Sequence, residues 1–162
     1  MSKVGKESVA LSTGVAVSSV LVGRFDHALD PKKRLTIPSE WRAAMGSPQY
    51  VYVMPDRAEK CLNLVPQAEM EMRLSKLREK ALFDPSLNKA LQVLGSVSEQ
   101  LSLDVQGRIR ISDRLLKYAN LKGVVAMVGS VRMIKLWDLA AIEPEEAVDI
   151  SALNDALDKL EF

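Results

Sequence analysis

The feature that most constrains this 162-residue chain is that it repeats itself. The stretch Asp30-Pro-Lys-Lys-Arg34-Leu-Thr-Ile37 aligns with Asp104-Val-Gln-Gly-Arg108-Ile-Arg-Ile111 at an offset of 74 residues. At that same offset Leu29 meets Leu103, Gly46 meets Asn120, and Tyr50-Val-Tyr-Val-Met54 meets Val124-Val-Ala-Met-Val128. With a small gap, Cys61-Leu-Asn-Leu-Val65 meets Met133-Ile-Lys-Leu-Trp137. An ordered series of matches at one spacing marks a duplicated structural unit rather than a chance similarity.

Each copy has a physical reading. An aspartate at the first position of a four-residue turn caps the turn backbone, with Pro31 suited to the second position and Gly107 to the fourth. After each turn, polar and apolar residues alternate with the period of a half-buried strand. Leu35, Ile37, Ile109 and Ile111 are thereby expected to face inward, and Arg34, Thr36, Arg108 and Arg110 to share the outward face. A short helix should follow in each copy, opened by Pro38-Ser39-Glu40 or Ser112-Asp113. Its apolar positions are Trp41 and Met45, or Leu115, Leu116 and Ala119, and Gly46 or Asn120 closes it with a left-handed cap. A hairpin ends each unit, with Pro55-Asp56-Arg57 and Gly129-Ser130 in the loops.

Between the copies, residues 67–83 read as a helix with Met70, Leu74, Leu77 and Ala81 at helical spacing, stopped by Asp84-Pro85. A second short helix is expected over 86–94, ending before Gly95. At the C-terminal end, Glu143-Pro144-Glu145-Glu146 opens an acidic segment, and Leu153, Ala156, Leu157 and Leu160 predict an amphipathic helix. The expected fold is α+β, two pseudo-symmetric β-rich units with short helices joined by a helical connector. Its divisions are an N-terminal extension (1–20), a first unit (21–66), a connector (67–96), a second unit (97–143) and a C-terminal helical tail (144–162). Residues 8–23 are uncharged, but serines and glycines interrupt the run and it falls short of the roughly 20 apolar residues of a spanning helix. A flexible or strand-forming extension is the expectation, with no membrane partner.

Composition narrows the chemistry. Lysine plus arginine (22) almost balances aspartate plus glutamate (21), so a site for a polyanion has to be a local cluster. One cysteine, Cys61, and one histidine, His27, leave no disulfide framework and argue against a zinc centre. No phosphate-binding glycine loop, nucleophile elbow or zinc-hydrolase helix occurs, so no catalytic residue, metal or cofactor is expected. His27 has no evident nucleophile or orienting acid and reads as a strand residue with a local hydrogen bond. Cys61, expected inside an apolar strand, reads as a buried, inert thiol.

The cluster that stands out is Lys32, Lys33 and Arg34 at the first turn, echoed by Arg108 and Arg110 at the second. From the residues alone, a solvated turn with a structural Asp–Arg salt bridge explains it as well as a phosphate-binding site does. The duplication tips this reading, because two related turns in a pseudo-symmetric body can present arginines to phosphates and guanine edges at a fixed separation.

From about Leu21 to about Glu146 the chain resembles the MraZ family, whose two halves are related to the AbrB/SpoVT swapped-hairpin DNA-binding unit. The motifs are His27-Ala-Leu-Asp-Pro-Lys-Lys-Arg-Leu-Thr-Ile-Pro38, Leu103-Asp-Val-Gln-Gly-Arg-Ile-Arg-Ile111 and the closing Ile134-Lys-Leu-Trp-Asp138. The resemblance implies a cytoplasmic, nucleoid-associated regulator that forms ring-like homo-oligomers on double-stranded DNA. Its implied sites are short repeats upstream of the division and cell-wall gene cluster. Lys32, Lys33, Arg34, Arg108 and Arg110 are the expected DNA contacts, and Asp30 and Asp104 shape the turns or hold the arginines. Two departures stand out. Lys33 occupies the usual glycine position, so the first turn is expected to avoid a left-handed residue. Leu21-Val22-Gly23 lacks the arginine of the family's opening. The rival reading is a ring-forming interaction module that uses the same fold without DNA; a small β-barrel enzyme ranks third.

Overall fold

The computed structural model describes residues 20–142 and 148–162. The expected N-terminal extension and the acidic segment at 143–146 lie almost wholly outside the described residues. The first repeat supplies β1 (Arg24–Ala28), β2 (Arg34–Thr36), α1 (Ser39–Ala44), β3 (Tyr50–Pro55) and β4 (Leu62–Pro66). The connector holds α2 (Gln67–Leu82) and α3 (Pro85–Val97). The second repeat supplies β5 (Glu99–Ser102), β6 (Arg108–Arg110), α4 (Asp113–Ala119), β7 (Val124–Gly129) and β8 (Ile134–Asp138). After a short 3-10 turn comes α5 (Ile150–Lys159). The mixed α+β architecture agrees with expectation, and no described helix is long and apolar enough to cross a membrane.

The two repeats interleave. The large sheet runs β1-β7-β8-β4-β3-β5 and the small one pairs β2 with β6. The first strand of each repeat therefore pairs only with the other repeat's hairpin, β1 on β7 and β5 on β3, while β4 and β8 meet in the middle. In the ribbon, Arg34 lies opposite Arg110, Leu35 opposite Ile109 and Thr36 opposite Arg108. Since Leu35 and Ile109 are the matching residues of the two repeats, a pseudo-twofold axis passes between them.

Alternation along the strands places the core as expected. Leu35, Ile37 and Ile109 are fully buried, Ile111 almost so, and they share one continuous cluster with Val51, Leu64, Val125 and Leu136 from the large sheet. Trp41 of α1 packs edge-on against Phe25 of β1 and donates its indole N–H to the Val22 carbonyl at 2.9 Å. Burying each such side chain contributes roughly 1.5–3 kcal/mol, and here the contributing faces come from both repeats.

Local signals explain most boundaries and correct three expectations. The Ser112 hydroxyl caps α4 by accepting from the Leu115 N–H, and Asn120 closes it in the left-handed region at φ 55°. Helix α1 also ends at a left-handed residue, Gly46, but it starts from Pro38 with no side-chain cap. Asp84 caps α3 through the N–H groups of Ser86 and Leu87. That helix was expected to end before Gly95 and instead runs to Val97, because a glycine inside a helix costs only about 1 kcal/mol and does not break it. Cys61 is buried but sits one residue before β4 rather than within a strand, since the hairpin loop is still turning there.

Gly129 closes β7 where Leu21 and Val22 cross it. A Cβ there would lie 2.6 Å from the Leu21 carbonyl oxygen and 2.8 Å from the Val22 Cα, both backbone atoms. Gly129→Ala should therefore lower stability by about 1–3 kcal/mol through overpacking. The readout is the urea midpoint, and an unchanged midpoint would show that the crossing can spread at no cost.

Candidate nucleic-acid interface

Each turn is built by its aspartate. In the first, the Lys33 N–H donates to the Asp30 carbonyl at 2.9 Å and the Asp30 N–H to the Arg34 carbonyl at 3.0 Å. Asp30 Oδ1 accepts the N–H groups of Lys32 and Arg34, both at 2.8 Å, and Oδ2 accepts Arg34 Nε at 2.6 Å. In the second, the Gly107 N–H donates to the Asp104 carbonyl at 2.9 Å. Asp104 Oδ1 accepts the N–H groups of Gln106 and Arg108 at 2.9 Å, and Oδ2 accepts Arg108 Nε at 2.7 Å. One carboxylate thus does both tasks expected of it, folding the turn and holding the arginine. The backbone donation from the arginine is the largest of the influences that lower the pKa of Asp30 and Asp104 below the ordinary carboxylate value.

The two turns lie at opposite ends of the β2–β6 ribbon, closed by matching bonds from the Ile37 N–H to the Gly107 carbonyl and from the Ile111 N–H to the Lys33 carbonyl. Its inner face is the buried Leu35 and Ile109, so the side chains of Arg34, Thr36, Arg108 and Arg110 line the other face together. Arg34 and Arg108 are two residue positions apart along it, about 7 Å. Both are partly sheltered, and each uses only Nε for its aspartate. Among the described residues no protein group takes their terminal Nη atoms, and Lys32 and Arg110 make no ion pair.

The first turn corrects one expectation. Lys33 adopts a left-handed conformation at φ 63°, matching Gly107 at φ 79°, although it is not glycine. The bond to the Asp30 carbonyl and the entry into β2 both require that conformation, which costs a non-glycine residue roughly 1–2 kcal/mol. Its ammonium reaches across the pseudo-axis to Asp113 at the start of α4, an exposed ion pair between residues 80 apart in sequence. Of the five expected cations, Lys33 is thus the one committed to a distant partner.

The repeats differ beside their turns in ways that the sequence reading missed. Arg42, whose Nε donates to the Ile37 carbonyl at 3.0 Å, lies against Gly107 so closely that a Cβ there would meet the guanidinium at 2.4 Å. The glycine at 107 was the available sign of a close neighbour. Beside the first turn an open cleft of about 710 Å³ is lined by Lys33, Lys117, Lys122 and Asp113. Lys117 and Lys122 had no linear signal, because only the crossed pairing brings α4 to the first turn.

The other candidates are structural. His27 lies in β1 with Nδ1 3.0 Å from the Ala28 carbonyl. Burial pushes the Cys61 thiol up to about 11, which keeps it protonated and unreactive. Asp56, Glu59 and Cys61 bring metal-ligand atom types within 4.8 Å of one another. Both Asp56 oxygens are already taken, by Lys135 Nζ at 2.7 Å and Asn63 Nδ2 at 3.0 Å on one and by the Ala58 and Glu59 N–H groups at 2.9 Å on the other.

Residues 96–154 match the family model described as "MraZ protein". A protein named transcriptional regulator MraZ from Pseudomonas savastanoi is 33% identical over 128 residues, 78% of this chain and 85% of the relative. The chain belongs to the MraZ family. Two further relatives of the same name, from Anaeromyxobacter dehalogenans and Clostridium acetobutylicum, are 30% and 27% identical. They cover 80% and 87% of this chain and 92% and 99% of their own lengths. The similarity to these relatives is long enough to span both repeats.

Proposed function

We propose that this MraZ-family chain is a sequence-specific DNA-binding transcriptional regulator. It acts as a homo-oligomer on short repeated elements in a promoter, that of the division and cell-wall gene cluster, in the cytoplasm at the nucleoid. The observation that carries this reading is the pair of aspartate-held arginines on one solvent-facing ribbon. A two-stranded ribbon is an element that the major groove admits, and a guanidinium fork matches the O6 and N7 acceptors of guanine. Holding each arginine by Nε fixes its direction before binding, so less side-chain freedom is lost on contact. Arg34 and Arg108 are the base readers in this reading. Lys32, Lys33 and Arg110 contact phosphate, Lys33 exchanging its Asp113 partner for the backbone. The relatives' shared name, transcriptional regulator, supports it.

A net charge of +1 gives no long-range attraction, so affinity must come from many local contacts added across subunits. Binding to a duplex from the chain's own upstream region should therefore fall steeply with salt. For 6–10 phosphate contacts the loss is about 10³–10⁵ in affinity between 50 and 200 mM. Fluorescence anisotropy with that duplex and a scrambled control checks this. Affinity indifferent to salt, or equal for both duplexes, would overturn the reading and leave an assembly module that does not read DNA.

A further inference from the structure

The pseudo-twofold axis through the β2–β6 ribbon relates two ends of very different charge. The 74-residue offset holds in three dimensions: the Leu29 N–H donates to the Gly123 carbonyl and the Leu103 N–H to the Gln49 carbonyl, both at 2.9 Å. Position by position, the first end carries Lys32, Lys33, Arg110, Lys117 and Lys122 where the second carries Gln106, Gly107, Thr36, Ala43 and Pro48. Two exchanges run the other way, Leu116 for Arg42 and Asp113 for Ser39, and Arg114, which stands for Glu40, is neutralised by Glu99 at 2.7 Å. The acids of the first end already have partners, Asp30 in Arg34 and Asp113 in Lys33. Lys117 and Lys122 are exposed at the cleft beside the first turn and, like Lys32 and Arg110, make no ion pair among the described residues. Lys33 lines that cleft and also, with Lys32 and Arg110, an adjoining recess of about 190 Å³. A strip of cations therefore runs from Arg110, the cross-strand neighbour of Arg34, to Lys122. At the second end the residue equivalent to Leu116 of the cleft wall is Arg42, whose guanidinium lies against Gly107.

We propose that the cleft beside the first turn is a second DNA contact, where Lys117 and Lys122 hold the sugar-phosphate backbone, so that each chain grips its element from one side only. The inference rests on the DNA-reading ribbon proposed above and adds to it two residues and a polarity. A continuous strip of cations fits a polyanion that lies on the ribbon and runs on past its end, rather than a single small anion. Lysine ammoniums suit that task, because contact with phosphate needs charge and no planar fork. Arg34 and Arg108 are related by the pseudo-axis, so the two readers alone would accept an element in either direction. Cations gathered at one end distinguish the two directions, because only one of them lays the strip along the backbone flanking the element.

The test uses the full chain and the shortest duplex from its own upstream region that keeps specific binding, with scrambled DNA beside it. Lys117→Ala with Lys122→Ala should weaken binding to both duplexes alike, about tenfold or more, and make the salt dependence shallower by about 2 in log–log slope for each chain engaged. Circular dichroism and the urea midpoint should not change, since both side chains are exposed. Lys76→Ala with Lys80→Ala, on α2 over the large sheet, removes the same charge and should leave binding within about twofold. Hydroxyl-radical footprinting should show protection beyond the element on one flank, lost in the Lys117/Lys122 variant. A wild type that prefers neither duplex, or binds without regard to salt, would remove the DNA-reading ribbon and this cleft together. With wild-type binding intact, an unchanged affinity and slope in the double variant would overturn the cleft contact alone. So would an equal loss in the α2 control, which would make the effect one of net charge, or a loss confined to the specific duplex, which would make the lysines base readers. Protection lost from both flanks would overturn the one-sided grip.

Discussion

Asp56→Ala should cost about 3–5 kcal/mol of folding stability, the range for removing one partner of a buried ion pair. Asp56 is only 7% exposed, and its carboxylate accepts from Lys135, Asn63, Ala58 and Glu59. The substitution leaves Lys135 Nζ with only the Asn63 side-chain oxygen, at 3.2 Å, and strands the two loop N–H groups. It also removes the side-chain link between the β3–β4 loop and β8, leaving the two hairpins joined there by the β4–β8 ladder. Urea denaturation measures this, and a loss below about 1 kcal/mol would mean that the loop relaxes or that water replaces the carboxylate. The same group predicts a pH dependence. Its side-chain bond to Lys135 is the largest of the causes that hold its pKa far below the ordinary 3.8. For a carboxylate depressed on folding, the stabilisation is complete above the unfolded value and is lost as pH falls towards the folded one. Wild-type stability should therefore decline below about pH 4, and Asp56→Asn should flatten that decline.

Arg34→Ala and Arg108→Ala should each weaken specific DNA binding by about 1–3 kcal/mol, roughly 5- to 150-fold, if each arginine reads a guanine edge. The double variant should approach the affinity for scrambled DNA. Folding should hardly change, because each Asp–Arg pair is exposed enough that its ionic part contributes little to stability. Arg34→Lys is the sharper test. Lysine keeps the charge but cannot form a fork, so non-specific binding should persist while discrimination against scrambled DNA falls. Preserved discrimination in Arg34→Lys would assign Arg34 to phosphate instead.

How far these features were legible depends on the distance over which each is decided. The Asp30 and Asp104 turns, the inward Leu35, Ile37, Ile109 and Ile111, the Ser112 cap and the left-handed Asn120 all follow from residues within about one turn of one another. The left-handed Lys33 was misjudged because its amino-acid type argued against a conformation that the Asp30 hydrogen bonds impose. Asp56 passed as an ordinary loop residue, since nothing beside it announces a lysine 79 positions away. Arg42, Lys117 and Lys122 stayed hidden for the same reason.

By itself, the sequence determined the duplicated unit, the kind and order of elements within it, which face of each strand is buried, and where the arginine-bearing turns lie. Those outcomes rest on local hydrogen-bond chemistry and on hydrophobic periodicity, both of which act over a few residues. Only the tertiary structure decided that β1 joins β7 and β5 joins β3, that β2 and β6 form one ribbon, and that Lys33 meets Asp113. Partner choice among strands with similar patterns is settled by joint burial of faces about 50 to 100 residues apart, and no local window of sequence contains that balance.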